Sequence, residues 1–177
     1  MQKILIIGGN GAGKSTFAKE LSAVSGLPLI HLDKLYWTDG WQPRNANEFK
    51  ALLQVELEKP NWIIDGNMKK TLSHRLNYCD TVIYFDFPGV TCFFGALKRI
   101  IKNRGKTRSD MGENCPEKFD KRTLKFLFGT LIFNKKNRKL FYQTISTAPK
   151  VNLIVFKNRR QVINFLNSFK TTKTSGD

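Results

Sequence analysis

The sequence has neither a long apolar run nor a framework of cysteines. Its longest apolar stretch, residues 126–133, is about eight residues long, whereas a membrane-spanning helix needs about 20. The apolar stretch before the first glycine, residues 4–7, is too short for a signal peptide. The three cysteines, Cys79, Cys92 and Cys115, contain no CxxC pair and predict neither a disulfide framework nor a four-thiolate zinc site. We therefore expect a cytoplasmic protein with reduced thiols and no membrane partner.

Acidic residues are also scarce. The chain has 30 Lys and Arg residues against 14 Asp and Glu, a net charge of +16. The surplus is uneven, because residues 98–139 carry 14 basic and 4 acidic side chains, a net of +10. Such a segment suits a polyphosphate ligand, a nucleic acid or an anionic surface, and charge alone does not choose among them.

Apolar runs alternate between strand-like and helix-like patterns along the whole chain. The predicted strands are residues 3–7, 27–32, 62–64, 81–87 and 151–156. The predicted helices are residues 14–24, 47–58, 90–103, 117–134, 138–146 and 161–169. Nearly continuous apolar strands separated by helices favour an α/β fold in three layers, with a parallel sheet covered on both faces. We expect one domain over residues 1–170, a basic lid at about 104–116, and a disordered tail at 171–177.

A glycine-rich loop between the first strand and the first helix is the strongest motif. Gly8, Gly13, Lys14 and Ser15 match the pattern GxxxxGK[ST]. The backbone N–H groups of such a loop surround a phosphate, the lysine reaches the β- and γ-phosphates, and the hydroxyl binds Mg²⁺. The motif therefore predicts binding of ATP with Mg²⁺. The predicted contacts are Gly8, Asn10, Gly11, Ala12, Gly13, Lys14, Ser15 and Thr16.

Other features narrow the class of phosphate-binding protein. No predicted strand ends in the Asp-Glu pair that is typical of NTP-hydrolysing motors, and no Asn-Lys-x-Asp guanine signature is present. Instead, Asp33 and Asp65 each follow a predicted strand, at the edge where open α/β sheets place their ligands. This pattern favours phosphoryl transfer to a small acceptor.

Several motifs beyond the glycine loop resemble one known family. The matching segments are residues 8–16, 27–37, 62–67, 80–88, 98–99, 108–111 and 115–117. Together they resemble the adenylate-kinase-like P-loop kinases known as DNA topology modulation proteins, over about residues 3–160. More broadly, the chain resembles nucleoside-monophosphate and shikimate kinases. The resemblance implies a P-loop NTPase fold with a five-stranded parallel sheet in the order 2-3-1-4-5, and a basic lid.

The resemblance also implies roles for particular residues. Lys14, Asp33, Arg99 and Arg108 would be catalytic, with Asp33 orienting the acceptor hydroxyl and the lid arginines, including Arg104, clamping the phosphoryl group. The residues that would contact the adenine side of ATP are Arg99, Asn158 and Arg159. The residues that would contact the acceptor are Asp33, Trp37, Asp65, Asn67 and Arg75. Ser15 and Asp65 would hold Mg²⁺.

Structural roles remain open for these side chains. Asp33 also suits a helix N-cap, and Asp65 a structural turn. Two alternative functions remain as well: a P-loop protein that binds nucleic acid through its basic segment and influences DNA topology, and a nucleotide-binding module with little catalysis. The nucleic-acid-binding alternative has less support, because its basic segment lacks interleaved aromatic side chains on which bases could stack. An ATP-dependent kinase with an unidentified small acceptor is the favoured prediction, and the oligomeric state is open.

Overall fold

The computed structural model describes residues 1–148 and 150–174, with the side chains of 170–174 excepted. Its strands are β1 (Lys3–Gly8), β2 (Leu29–His31), β3 (Trp62–Asp65), β4 (Thr81–Phe85) and β5 (Asn152–Phe156). Its helices are α1 (Lys14–Ser25), α2 (Leu32–Tyr36), α3 (Ala46–Glu58), α4 (Leu72–Leu76), α5 (Gly89–Lys102), α6 (Lys121–Ser146) and α7 (Arg159–Thr174). Short 3₁₀ turns form at Asp39–Trp41 and Lys69–Thr71.

The five strands form one parallel sheet in the order β2-β3-β1-β4-β5. This confirms the expected order. The central strand β1 pairs with β3 on one side and with β4 on the other, with Ile4 opposite both Ile63 and Thr81. All five strands run in the same direction, so their carboxyl ends meet at one edge. The glycine loop and the ends of β2 and β3 lie along that edge.

Alternate residues of β1 pack into two different cores. Leu5 and Ile7 face one core, which is filled mainly by α3, α4 and the C-terminal half of α6. Ile4 and Ile6 face the other, which contains Phe17 and other side chains of α1 and α7. A strand buried on both faces has no polar alternation, because every side chain contacts a helix. This explains the unbroken apolar run of β1.

One long helix replaces two predicted ones. The sequence predicts helices at 117–134 and 138–146, but α6 is continuous from Lys121 to Ser146 and begins at Asp120, whose carboxylate accepts the N–H of Thr123. Two asparagines beside the expected break, Asn134 and Asn137, are buried, while Lys135 and Lys136 between them are exposed. The Asn134 side chain donates to the carbonyl of Phe87 at 2.8 Å, and Asn137 accepts from Lys69 at 2.8 Å. These contacts hold α6 against the segments that follow β4 and β3.

Other predicted boundaries differ by a few residues or by one short helix. The strand expected at 27–32 is shorter, because Leu32 begins α2. Neither α2 nor α4 was predicted, since five residues give too little periodicity to detect. The last helix continues to Thr174, into the segment expected to be disordered, and residues 175–177 lie outside the described residues. Within the described chain, no helix is both long and apolar enough to cross a membrane.

Candidate active site

The glycine loop, residues 8–13, is held closely between β4 and α5. Gly8 has a φ of +130°, and a Cβ there would lie 2.3 Å from the carbonyl oxygen of Phe85. Gly11 has a φ of +87°, and a Cβ there would lie 2.1 Å from the carbonyl oxygen of Cys92. Any other residue at either position would be strained by its backbone and would clash with a neighbouring backbone. The glycines therefore allow the loop to pack against α5, where the N–H groups of Gly8, Gly9 and Ala12 are hydrogen-bonded within the chain.

Lys14 and Asn67, which flank this loop, stabilise it through hydrogen bonds to its backbone. The buried Lys14 ammonium donates to the carbonyls of Gly8 and Gly9 at 3.0 and 2.9 Å. The Asn67 amide accepts the N–H of Gly8 and donates to its carbonyl, both at 2.9 Å, and also donates to the side chain of Asn10. Burial lowers the pKa of Lys14, although the negative charges of Asp65 and Asp33 oppose that shift.

Two carboxylates face this lysine from the neighbouring strand ends. Asp33 lies in the first turn of α2, and Asp65 is the last residue of β3. Burial raises the pKa of Asp33, the nearby charge of Asp65 raises it further, and Lys14 partly offsets both effects. One oxygen of the buried Asp65, Oδ2, lies 3.1 Å from Nδ1 of His31, while Oδ1 has no hydrogen-bond partner in the described part of the chain. A buried carboxylate oxygen without a donor suits a cation.

The contact between His31 and Asp65 was not predicted from the sequence. His31 is the last residue of β2 and lies opposite Asp65 in the register of the sheet. Once the two strands are known to be parallel neighbours ending together, the pairing follows. The sequence signal for this contact is the common end of two neighbouring parallel strands.

The basic lid carries a cluster of buried charge. Glu117 lies 3.0 Å from Nε of Arg108 and 3.3 Å from Nε of Arg99, as ion pairs without hydrogen-bond alignment. Arg108 also forms a salt bridge of 2.8 Å with Asp110. Burial and the neighbouring Arg108 lower the pKa of Arg99, and Glu117 opposes them. The two acids thus hold two guanidinium groups beside each other in spite of their repulsion.

The lid also rests on the turn that follows α2. The N–H of Trp41 donates to Sγ of Cys115 at 3.2 Å, and the Cys115 thiol donates to the carbonyl of Thr38 at 3.4 Å. The indole of Trp41 donates to the carbonyl of Pro116 at 3.2 Å. Lys19 of α1 reaches the hydroxyl of Ser109 at 2.7 Å. In this structure the lid is therefore closed over the edge of the sheet.

These elements enclose a cavity of about 980 Å³. Its wall brings together the glycine loop, both strand-end carboxylates, the lid and the start of α7. Predicted site residues in this wall are Asn10, Gly11, Ala12, Gly13, Lys14, Ser15, Thr16, Asp33, Asp65, Asn67, Arg99, Arg108 and Arg159. Sequence reasoning did not single out Lys19, Met68 or Phe133, which also line it.

Four residues predicted to contact a ligand have partners within the chain. Arg75 is fully buried and donates to the carbonyls of residues 66–68, so it shapes the loop after β3 and does not face the cavity. Trp37 packs edge-to-face on Tyr36 and Trp41, away from the cavity wall. The Asn158 side chain accepts the N–H of Gln161 at the start of α7. Asn67 lines the cavity, but its amide is engaged with the glycine loop.

Replacing Arg75 should destabilise the whole protein. Arg75→Ala removes the side-chain donor from the carbonyls of Gly66 and Asn67 and leaves a void in a fully buried position, so we expect a loss of about 3 kcal/mol or more in the free energy of unfolding. For a chain of this size the melting temperature should fall by about 10 °C. Urea and thermal unfolding measure both quantities.

The matched control is Arg160→Ala, which removes an exposed arginine and should change stability by less than about 0.5 kcal/mol. Arg75→Lys should recover only part of the loss, because an ammonium lacks the planar fork that reaches three carbonyls. Equal stability of Arg75→Ala and Arg160→Ala would contradict a structural role for Arg75.

A parallel sheet in the order 2-3-1-4-5, with a GxxxxGK[ST] loop after its first strand and a basic lid over its edge, defines the P-loop kinase fold. No protein-family model matches the chain. Over 98 residues, which are 55% of this chain, it is 28% identical to a shikimate kinase of Parabacteroides distasonis. The matched region spans about half, 51%, of that relative.

Solved structures share the fold over nearly the whole chain. A shikimate kinase from Acinetobacter baumannii in complex with shikimate is 13% identical, covers 100% of this chain and 95% of its own, and gives a TM-score of 0.58. A shikimate kinase from Bacteroides thetaiotaomicron is 16% identical and covers 98% of both chains, with a TM-score of 0.54. A deoxyadenosine kinase from M. mycoides with bound dATP is 17% identical and covers 94% of this chain and 97% of its own, with a TM-score of 0.53.

At this level of identity the solved structures show the fold alone. They agree with the broader resemblance to small-molecule P-loop kinases. They give no support to the narrower resemblance to DNA topology modulation proteins.

Proposed function

We propose that the protein is an ATP-dependent phosphotransferase that moves the γ-phosphoryl group to a hydroxyl of a small acceptor. One observation carries this proposal: a single cavity is lined by a phosphate-binding loop, two arginines at the lid and two strand-end carboxylates. Phosphoryl transfer needs these two parts, positive groups around the phosphates and a carboxylate beside the attacking oxygen. The kinase relatives support the same class of reaction.

The nucleotide side of the cavity suits ATP and Mg²⁺. The N–H groups of the glycine loop and the N-terminus of α1 bind phosphate oxygens, and Lys14 lies within the same loop. Ser15 and Asp65 would hold Mg²⁺, since both line the cavity and Asp65 has an unpaired buried oxygen. A bound Mg²⁺ would neutralise phosphate charge and fix the orientation of the phosphates.

The lid arginines supply the remaining positive charge. Arg99 and Arg108 line the cavity, and Glu117 holds them at a fixed separation. A guanidinium keeps its charge at all relevant pH values and donates two parallel hydrogen bonds to phosphate oxygens. As charge builds on the transferred group, these donors stabilise it without any need to reorganise.

Asp33 is the group we assign to the acceptor hydroxyl. It faces the cavity beside Asp65, and its raised pKa makes it a better proton acceptor than an ordinary aspartate. In this role Asp33 accepts the proton of the hydroxyl as the oxygen attacks the γ-phosphorus. Its place in the first turn of α2 is not an N-cap, because His31 occupies that position.

The acceptor side of the wall favours a neutral molecule. In the described chain, α2 and the loop after β3 contribute Asp33, Asn67 and Met68 to the cavity but no lysine or arginine. The lining cations belong to α1, α5, the lid and α7. The cations that act on Asp33, Lys14 and Arg108, are those we assign to the transferred phosphoryl group, so an anionic acceptor would face two carboxylates without a further cation. We therefore propose a neutral hydroxylated acceptor, such as a nucleoside or a polyol.

An acceptor panel tests the proposal. Purified protein with ATP and Mg²⁺ is offered deoxyadenosine, other nucleosides and polyols as neutral candidates, and shikimate and nucleoside monophosphates as anionic ones. We expect at least one neutral acceptor to stimulate ADP formation, with kcat/KM at least tenfold above that of any anionic acceptor. ATP binding without stimulation by any acceptor would contradict the kinase proposal, whereas preference for an anion would contradict only the acceptor class.

A further inference from the structure

The outer surface of α5 and α6 exposes an unusual number of apolar side chains. Five large ones are between 57% and 65% exposed: Val90, Phe94, Ile101, Phe128 and Ile132. Leu124 and Leu131 are exposed as well. We call these seven residues the α5–α6 apolar face. In a helix each residue turns about 100°, so Val90, Phe94 and Ile101 form one stripe along α5.

The stripes of the two helices belong to one continuous surface. The helices pack on each other through Ala96, Ile100 and Leu127, and the rings of Phe93 and Phe128 lie 6.3 Å apart. Phe128 therefore lies next to the α5 stripe, since Phe93 and Phe94 are themselves in edge contact. Monomeric soluble proteins rarely expose contiguous apolar patches of this kind without an interaction to explain them.

Positive charge surrounds the face, and negative charge is absent from both helices. α5 and α6 together contain ten lysines and arginines and not one Asp or Glu. The exposed lysines of the two helices are Lys98, Lys102, Lys121, Lys125, Lys135, Lys136 and Lys139. This surface is therefore both apolar and basic, which limits what can cover it.

A second copy of the chain, a nucleic acid and a membrane would each make different contacts with the α5–α6 apolar face. A second copy of the chain would bring a like-charged rim against this one, and such juxtaposition opposes association. A nucleic acid would satisfy the lysines but would gain little from aliphatic side chains such as Val90, Ile101 and Ile132. An anionic bilayer surface satisfies both parts, since acyl chains accept the apolar stripe and lipid phosphates accept the lysines.

We propose that the α5–α6 apolar face docks on anionic phospholipid membranes as a peripheral surface. Phe94, Ile101 and Phe128 enter the boundary between headgroups and acyl chains, and the surrounding lysines contact lipid phosphates. The sequence alone predicts no membrane partner, because it shows no long apolar run. A surface of this kind uses separated apolar residues from two helices, which no single run reveals.

The docked surface would lie beside the cavity. Lys98 and Lys102 belong to the cavity wall, and they lie on α5 about 60–100° from the apolar stripe. α5 therefore contributes both to the cavity wall and to the docking face. The docking proposal does not depend on the proposed kinase activity, because its evidence is exposure and charge outside the cavity.

Vesicle flotation tests the proposal directly. The full chain is mixed with vesicles of phosphatidylcholine alone or of phosphatidylcholine with phosphatidylglycerol. We expect binding only to the mixed vesicles, with an affinity that falls as salt rises. The double variant Phe94→Gln/Phe128→Gln should weaken binding at least tenfold, because two apolar insertions are lost.

A triple variant, Lys125→Gln/Lys135→Gln/Lys139→Gln, tests the contribution of the lysines. All three positions lie outside the cavity wall. Each lysine near an anionic surface is worth about fivefold, so binding should fall about 10²-fold. The matched controls on α3 are Val55→Gln, an exposed apolar residue, and Lys50→Gln, an exposed lysine. Both controls should bind like the unaltered protein, and thermal unfolding verifies that every variant is folded.

Each contrary outcome overturns the proposal in a recognisable way. No binding to mixed vesicles rejects it outright. If the Phe94→Gln/Phe128→Gln variant binds mixed vesicles as tightly as the unaltered protein, charge attraction alone accounts for binding. That outcome contradicts the proposed insertion of apolar side chains. A dimer in analytical ultracentrifugation that this double variant dissociates, without vesicle binding, assigns the face to a second copy. Salt-dependent binding of duplex DNA that the lysine variant abolishes, again without vesicle binding, assigns it to nucleic acid.

Discussion

A Lys14→Met variant should lose phosphoryl transfer by about 10³-fold, or about 4 kcal/mol of transition-state stabilisation. Lys14 is the cation within the phosphate-binding loop, and its charge is buried where the effective dielectric is low. In such a site one positive donor stabilises developing phosphate charge far more than it would in water. Methionine keeps most of the aliphatic chain and removes only the ammonium. The measurement is acceptor-dependent ADP formation, together with ATP affinity by calorimetry.

Lys14 also donates to the carbonyls of Gly8 and Gly9, so part of the loss could come from a rearranged loop. Thermal unfolding separates the two causes, because a loop effect lowers the melting temperature as well as the rate. Lys50→Met is the control, since it removes an exposed lysine on α3 and should leave turnover unchanged. Turnover of Lys14→Met within fivefold of the unaltered protein would contradict the assigned role.

Sequence reasoning reached the fold and the phosphate-binding loop because both depend on local patterns. A strand such as β1, which is buried on both faces, has an unbroken apolar sequence. The glycines at 8, 11 and 13 are required because the backbone there has positive φ angles. The carboxylates of Asp33 and Asp65 were also found, because the ends of parallel strands meet at one edge. Each of these signals lies within a few residues of the feature it predicts.

The remaining features depend on contacts between distant segments. Asn67 and Arg75 looked like acceptor contacts from their place after β3, but their partners are backbone groups of residues 8 and 66–68. A polar side chain near a site can bind a ligand or hold the backbone that does, and the sequence does not distinguish these. Likewise, the contact of Cys115 with Trp41 joins segments 74 residues apart. No local pattern marks it.

Asp33→Asn should lower kcat by about 10²–10⁴-fold while ATP affinity stays nearly unchanged. Asparagine has the same shape but cannot accept the acceptor's proton, so the loss should appear in turnover and not in nucleotide binding. Asp33 lines the cavity from the first turn of α2 and belongs to neither the glycine loop nor α1. Lys34→Gln is the control, because Lys34 is the exposed neighbour of Asp33 in α2. A loss of ATP affinity that matched the loss of turnover would instead assign Asp33 to the nucleotide.

The pH dependence of turnover gives an independent test of the same base. The pKa of Asp33 is raised by burial and by Asp65, and the ionised carboxylate is the active form. Turnover should therefore fall as pH decreases through that raised pKa, at a higher pH than an ordinary aspartate would give. Asp65→Asn removes one of the causes that raise this pKa, so the acid limb should move to lower pH even though the variant also turns over more slowly. The residual activity of Asp33→Asn should lack this limb, and a limb unchanged in both variants would mean that another group accepts the proton.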